Sequence, residues 1–230
     1  MVGYQQWLDV AANNLANIST TGFKADQMNF AESLLRTVRA DGGRGPVLGT
    51  VSTGPRPTDM STDFTKGSEQ ATGNHLDIML ESPRAMLKIS TPEGIRFFRG
   101  GSLDVDQNRQ LITKDGYPVL DRNDNPVTMP PNSYQITEDG RVMVDGVPTI
   151  ELAMVTGTFG KAGKNQFVAL GPVTDATDRR VLTGVLEGSN VSAIDAMVQM
   201  VRVQRLFEMA QRSVQQHDES TQRLIQTVTG

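Results

Sequence analysis

One repeat dominates residues 191–230. Ala193, Ala196, Met200, Val203, Phe207, Ala210, Val214, His217, Thr221, Leu224 and Val228 recur at spacings of three and four. That spacing is the stripe of a long helix with a sustained heptad. Between Ile194 and Leu206 a second face is apolar as well, through Ile194, Met197, Val198, Val201 and Leu206. A helix apolar on more than one side is normally buried on more than one side. Ser189-Asn190 marks its start, with Ser192 or Asn190 as the cap.

The beginning of the chain carries a shorter version of the pattern. Tyr4, Leu8, Ala11, Leu15 and Ile18 alternate at four and three, one face of a helix. Thr20-Thr21-Gly22 stops it, with Gly22 as a left-handed residue after the helix. The sequence predicts a second short helical piece from about Asp26 to Val38.

Between these ends the period shortens. Met86–Ile89, Ile95–Phe98, Leu111–Thr113, Tyr134–Ile136, Arg141–Val144 and Gln166–Leu170 are short apolar-rich segments bounded by Pro, Gly or Asn-Asp clusters. Such spacing predicts an antiparallel β domain. Asp139-Gly140 and Asp145-Gly146 are hairpin turns. The chain thus divides into an N-terminal helical part (1–39), an extended Gly/Thr/Pro-rich linker or arm (40–75), a central β domain (76–186) and a C-terminal long helix (187–230). The fold class is α+β: N- and C-terminal helices packed as a coiled coil, with a central, mainly antiparallel β domain.

An ordinary helical hairpin closing a monomeric domain would share this pattern. The charges speak against it. Residues 191–230 carry four basic and four acidic groups with seven glutamines, and residues 1–24 carry one charge of each sign. Few charges and many amides suit helices packed among other helices, because amides cost less to desolvate.

Composition narrows the function. A hydrophobic fraction of 37% with only 5% aromatics is poor for a large enzyme core. A formal charge of −4 argues against a nucleic-acid binder. The absence of cysteine excludes disulfides and thiolate chemistry. No apolar run of about 18 residues predicts a membrane-spanning helix. Met1-Val-Gly-Tyr-Gln-Gln-Trp-Leu lacks the features of a cleaved signal peptide, so export is expected to proceed without one.

No catalytic, cofactor-binding or metal constellation stands out. His75 and His217 are far apart in sequence, and no nucleophile elbow, P-loop or dinucleotide fingerprint occurs. Asp104-Val-Asp106-Gln-Asn108, with Asp115 further on, has calcium-like alternation. An EF-hand needs Gly where Arg109 stands and helices on both sides. A tight Asx-type turn between strands fits better, and Asp121-Arg-Asn-Asp-Asn125 reads the same way.

At the ends the residues become specific. Leu8-Asp-Val-Ala-Ala-Asn13-Asn14-Leu15-Ala-Asn17-Ile-Ser-Thr-Thr-Gly-Phe23-Lys24 closely resembles the N-terminal signature of flagellar rod and hook proteins. Leu186-Glu-Gly-Ser189-Asn190-Val191, then Met200, Gln204-Arg205 and Phe207-Glu208, resembles the family's C-terminal signature. Phe64-Thr-Lys-Gly67, Thr72-Gly-Asn74, Leu76-Asp77, Arg99-Gly-Gly-Ser102, Asp106, Leu111–Thr113 and Gly116–Leu120 extend the likeness through the middle. There are two departures. The family has a helical stretch of about four turns, roughly 15 residues, before the Asn-Asn motif, and Met1-Val-Gly-Tyr begins inside it. Glu81-Ser-Pro-Arg-Ala-Met86 stands where the family has a Gly-rich turn and two aromatics.

The resemblance implies a structural subunit of the bacterial flagellar basal-body rod. The longer rod subunits match best: the proximal rod protein adjoining the distal rod, or the distal rod protein itself. It implies terminal helices stacked as tubes around an export channel, and partners that are copies of the chain, other rod and hook subunits, and the flagellar type III export apparatus. It also implies a place in the basal body, without nucleic acid or membrane insertion. The residues expected to serve assembly are Leu8, Asn13, Asn14, Leu15, Asn17, Phe23, Ser189, Asn190, Val191, Met200, Val203, Phe207 and Val214. The alternative is a secreted oligomeric binding or adhesive protein whose β domain holds a ligand. Such a binder would place aromatics or charges on β-domain loops, where one Trp and three Tyr supply few.

Overall fold

The computed structural model describes residues 2–32, 35–39, 47–52, 55–131, 134–144, 147–163 and 165–229. The chain divides into two units. One comprises Met1–Leu15, Asp26–Ser61 and Ala193–Gly230, and the other Ala16–Ala25 and Thr62–Ser192.

The second unit is the β domain. A six-stranded sheet runs in the order Phe159–Lys161, Gln166–Ala169, Gly94–Phe98, Ala85–Thr91, Met154–Thr156, Thr174–Asp175. A four-stranded sheet runs Leu111–Thr113, Gly100–Val105, Asp77–Leu80, Val181–Thr183. Their pairings are antiparallel, as in Leu87 opposite Phe98 and Val181 opposite Leu80. One core unites the two sheets: Ile78, Leu80, Leu103, Leu111 and Val181 from the smaller with Leu87, Ile89, Phe98 and Met154 from the larger. The other face of the larger sheet is buried too, beneath Met86, Phe97, Val155, Phe159 and Phe167. Successive side chains of a strand point to opposite faces, so Met86-Leu87 and Phe97-Phe98 each serve both cores.

The turns follow their sequence signals. Gly140 (φ +70°) closes Thr137–Gly140, and Thr137 N–H donates to Arg141 O at 2.8 Å. Asp145-Gly146 lies outside the described residues. The calcium-like segment is a turn: Asp106 Oδ1 accepts from Gln110 N at 2.7 Å, and Arg109 N donates to Asp106 O at 2.9 Å. Asp121 Oδ1 accepts from the backbone N–H of both Asn123 and Asn125 at 2.8 Å.

The first unit holds two helices, α1 (Val2–Ala16) and α2 (Ala193–Thr229). It also holds the paired strands Leu35–Arg39 with Val47–Ser52, and Asp26–Glu32 with Pro55–Thr62. Two expectations are corrected here. The helix predicted from Asp26 to Val38 is replaced by strands Asp26–Glu32 and Leu35–Arg39. Its entry is held extended by Asn14, whose Nδ2 donates to Asp26 O at 2.8 Å while its Oδ1 accepts from Asp26 N at 3.0 Å. The amide side chain acts as a ladder partner, a tertiary contact that overrides local propensity.

The expected coiled coil of the terminal helices is the second correction: none is formed among the described residues. Among the described residues on the heptad face of α2, only Ala196 and Val203 are buried. From Gln211 to Arg223 every residue is exposed, including Val214, His217 and Thr221. Length alone forbids a full seam. At about 1.5 Å per residue, α1 reaches roughly 22 Å and α2 roughly 55 Å, since the helices have 15 and 37 residues. Among the described residues, most of the heptad therefore has no partner helix.

Candidate functional site: an apolar helix face and the meeting of the chain ends

Two arrangements bring the specific residues together. The first lies on α2. At about 100° per residue, Ile194, Val198 and Val201 fall opposite the Ala196–Met200–Val203–Phe207 face. Ile194 is 76% exposed, Val198 61% and Val201 50%. Met197 and Met209 are exposed beside them, Arg202 lies at the edge of the stripe, and Arg205 stands within it between Val201 and Met209. Over Ile194–Met209 the helix has two apolar sides, since its water-facing side carries large aliphatic groups as well. Isolated surface apolar residues are ordinary; a contiguous row marks an interaction face.

The second arrangement lies in the β domain, where the two signature segments meet. Thr20–Ala25 lies as a strap against residues 186–190. Gly22 N donates to Glu187 O at 2.7 Å, and Ala25 N to Asn190 Oδ1 at 2.7 Å. Asn190 Nδ2 donates onward to Asp63 O at 2.8 Å. Asn165 Nδ2 donates to Thr21 O at 3.2 Å and to Gly100 O at 2.9 Å. Gly22 has φ +69°, and a Cβ there would lie 2.6 Å from the Asn165 amide nitrogen. The strap thus passes where only glycine fits. Phe23 is 1% exposed, with the Lys161 ammonium 3.5 Å above its ring centre.

Beneath the strap is a buried charge network. Lys24 Nζ donates to Glu187 Oε1 at 2.6 Å and to Thr65 O at 2.7 Å. Arg99 Nε donates to Glu187 Oε2 at 2.9 Å. Its remaining nitrogens donate to Leu80 O at 2.8 Å, Ala85 O at 2.7 Å and Ser82 O. Gly67 N donates to Glu187 Oε1 at 3.1 Å. Lys24 and Arg99 are fully buried and Glu187 is 2% exposed. Burial lowers the Lys24 ammonium pKa, and its hydrogen bond to Glu187 only partly offsets this. Burial pushes the Glu187 carboxyl up, but the Arg99 guanidinium and the Lys24 ammonium outweigh it and hold the group below the ordinary carboxylate range.

The sign of the pH effect follows. Glu187 binds its proton more readily in the unfolded chain than in the folded one. Its stabilisation is complete above the ordinary carboxylate range and fades as pH falls through the lower folded value. Melting temperature should therefore drop as pH is taken below about 5. Glu187→Gln should flatten the profile over that window; equal slopes would assign the acid sensitivity to other groups.

The residues expected for assembly are distributed as follows. Leu8 and Leu15 are half-buried on α1, Asn13 is exposed, Asn14 is buried at Asp26, and Asn17 is buried and accepts from Thr20. Phe23, Ser189 and Asn190 converge at the strap, with half-buried Val191 just after. Met200, Val203 and Phe207 share one face of α2, while Val214 stands in solvent. Asn190 is spent on the strap, which leaves Ser192 in the capping position before Ala193. Sequence reasoning quoted Lys24, Arg99 and Glu187 inside motifs but missed their pairing. A lone charge within an otherwise apolar or glycine-rich motif was the available signal.

Three family models match this chain: "Flagella basal body rod protein" over residues 4–24, "Flagellar hook protein FlgE/F/G D1 domain" over 84–144, and "Flagellar basal body rod FlgEFG protein C-terminal" over 182–227. Among similar proteins, the flagellar basal-body rod protein FlgF of Escherichia coli is 32% identical over 96% of this chain and 91% of its own length. The rod protein FlgG of Borreliella burgdorferi is 30% identical over 95% and 91%. FlgG of Buchnera aphidicola is 28% identical over 95% and 93%.

Proposed function

This chain belongs to the flagellar basal-body rod protein family, and from that premise we propose that it assembles into the rod through the exposed apolar face of α2. It is a structural subunit, not an enzyme, and its place is the flagellar basal body. The adhesive-binder alternative finds no support in these relatives.

The observation that carries the assembly reading is the row Ile194–Met197–Val198–Val201–Met209, exposed opposite the heptad face. Its occupant is a neighbouring rod subunit, a second copy or another rod or hook protein. Removing each exposed aliphatic side chain from water contributes roughly 1.5–3 kcal/mol at full burial. A row of them repeated at every subunit supports a tube. The heptad residues Met200, Phe207 and Val214, together with Leu8, Asn13, Leu15 and Val191, belong to the same reading as contacts completed on assembly, whereas Asn17 is already buried against Thr20 within the chain. Asn14, Phe23, Ser189 and Asn190 serve it by holding the chain ends. Passage through the flagellar type III apparatus is part of this proposal. The low charge of both terminal segments suits helices that end up packed among helices.

A photo-reactive side chain placed at Val201 in motile cells tests the face. The expected product on illumination is a ladder of chain-to-chain adducts in isolated basal bodies. Adducts confined to single chains would overturn the assignment.

A further inference from the structure

The buried network has an uneven charge count. Lys24 and Arg99 bring two positive charges to the single carboxylate of Glu187. The two cations are not equivalent. Arg99 is anchored by the carboxylate and by the backbone oxygens of Leu80, Ser82 and Ala85, all within the domain. Lys24 sits on the strap, and the carboxylate it bonds there is Glu187, with the half-buried Asp63 acting on it only more weakly as a second opposite charge. Without Lys24, Arg99 and Glu187 remain a neutral, hydrogen-bonded pair. Without the Glu187 charge, two cations are left facing each other away from water. A buried charge stripped of its partner is among the costliest states in a fold. Arg99 cannot reach water without breaking four bonds, whereas Lys24 can do so if Thr20–Ala25 lifts away.

We propose that Glu187 is an electrostatic latch for the strap, so that its charge decides whether Thr20–Ala25 is docked on the β domain or released from it. The latch joins residues 163 positions apart in sequence. The β domain therefore has a closed form that requires both the strap and the Glu187 segment, and an open form in which the strap alone is undocked. The other strap contacts are the buried Phe23 ring under the Lys161 ammonium and hydrogen bonds to the strap's main chain from Lys161, Asn165 and Asn190. They fix the path of the strap but do not balance its buried charge. The inference concerns one domain and does not depend on how subunits assemble.

Amide hydrogen exchange on the full chain tests it, with the wild type, Lys24→Met, Glu187→Gln and the double variant compared. The probes are the amides of Gly22 and Ala25, which donate to Glu187 O and Asn190 Oδ1, against those of Ile78 and Leu87 in the sheets. Lys24→Met should keep both sets within about 10-fold of wild type, since it leaves a neutral pair. Glu187→Gln should speed exchange at Gly22 and Ala25 by at least ~100-fold while Ile78 and Leu87 stay protected. The double variant should restore strap protection to within about 10-fold, because it removes the cation carried by the strap and leaves only Arg99, which the backbone oxygens of Leu80, Ser82 and Ala85 hold inside the domain. That rescue separates a latch from a merely structural glutamate. Equal loss of protection at all four amides in Glu187→Gln would show that the strap does not open on its own. A double variant no better than Glu187→Gln would show that Lys24 charge is not what the carboxylate balances. Either result overturns the proposal, as would full strap protection in Glu187→Gln.

Discussion

Val201→Glu is expected to abolish rod assembly while the purified chain keeps its stability to within about 0.5 kcal/mol. Val201 is half-exposed on the outer face of α2, so the isolated chain has little packing there to lose. Glutamate is also a good helix former, which removes propensity as a confounder. In an assembled rod the same position would take a carboxylate out of water among Met197, Val198 and a neighbour's apolar surface. Arg205, four residues on, is within pairing reach, but desolvation still costs several kcal/mol per buried ion. Repeated at every contact, that cost leaves no assembled state. The check is a pair of measurements, thermal melting of the purified protein and basal-body isolation from complemented cells. Intact rods in the variant would remove this face from the assembly surface. Loss of melting stability by more than about 2 kcal/mol would instead make Val201 part of a private core.

The opposite behaviour is expected of Phe23→Ala. Phe23 is fully enclosed in the β domain, and its ring carries the Lys161 ammonium. Removing it should cost about 3–5 kcal/mol through lost burial and the cavity left behind. The cation–ring contact adds up to about 1–2 kcal/mol where the ammonium is desolvated. For a unit of this size the melting temperature should fall by roughly 10 °C. The loss should appear in the purified chain at any concentration, since no second subunit is involved. A variant that melts like the wild type would mean that the strap contributes nothing to the domain. Phe207→Ala is the useful contrast: its site on α2 is only half-buried, so its monomer effect should be much the smaller.

Much of this was legible in the residues. Apolar spacing of three and four predicts both helices, and α2 runs from Ala193 almost to the end as expected. Short apolar segments between turn residues predict strands such as Leu111–Thr113 and Arg141–Val144, which pair antiparallel. The paired end motifs carry the family. The segment Asp26–Val38 was not legible, because nothing local says that Asn14 will hold Asp26 extended. The heptad was legible as a pattern but not as a partner. A stripe says that a face must be covered, and it is silent on whether the cover comes from α1 or from another chain.

The amino-acid sequence by itself determined the periodicities, the turns and the family, because these depend on residues a few positions apart or on strings read in order. The tertiary structure alone decided that Lys24, Arg99 and Glu187 share one buried site and that Asn165 closes over Gly22. Charge balance in a low-dielectric interior depends on which groups lie within a few ångströms of one another. Separations of 163 and 88 residues along the chain carry no trace of that distance. Folding brought them together, and with them the point where both ends of the chain are held.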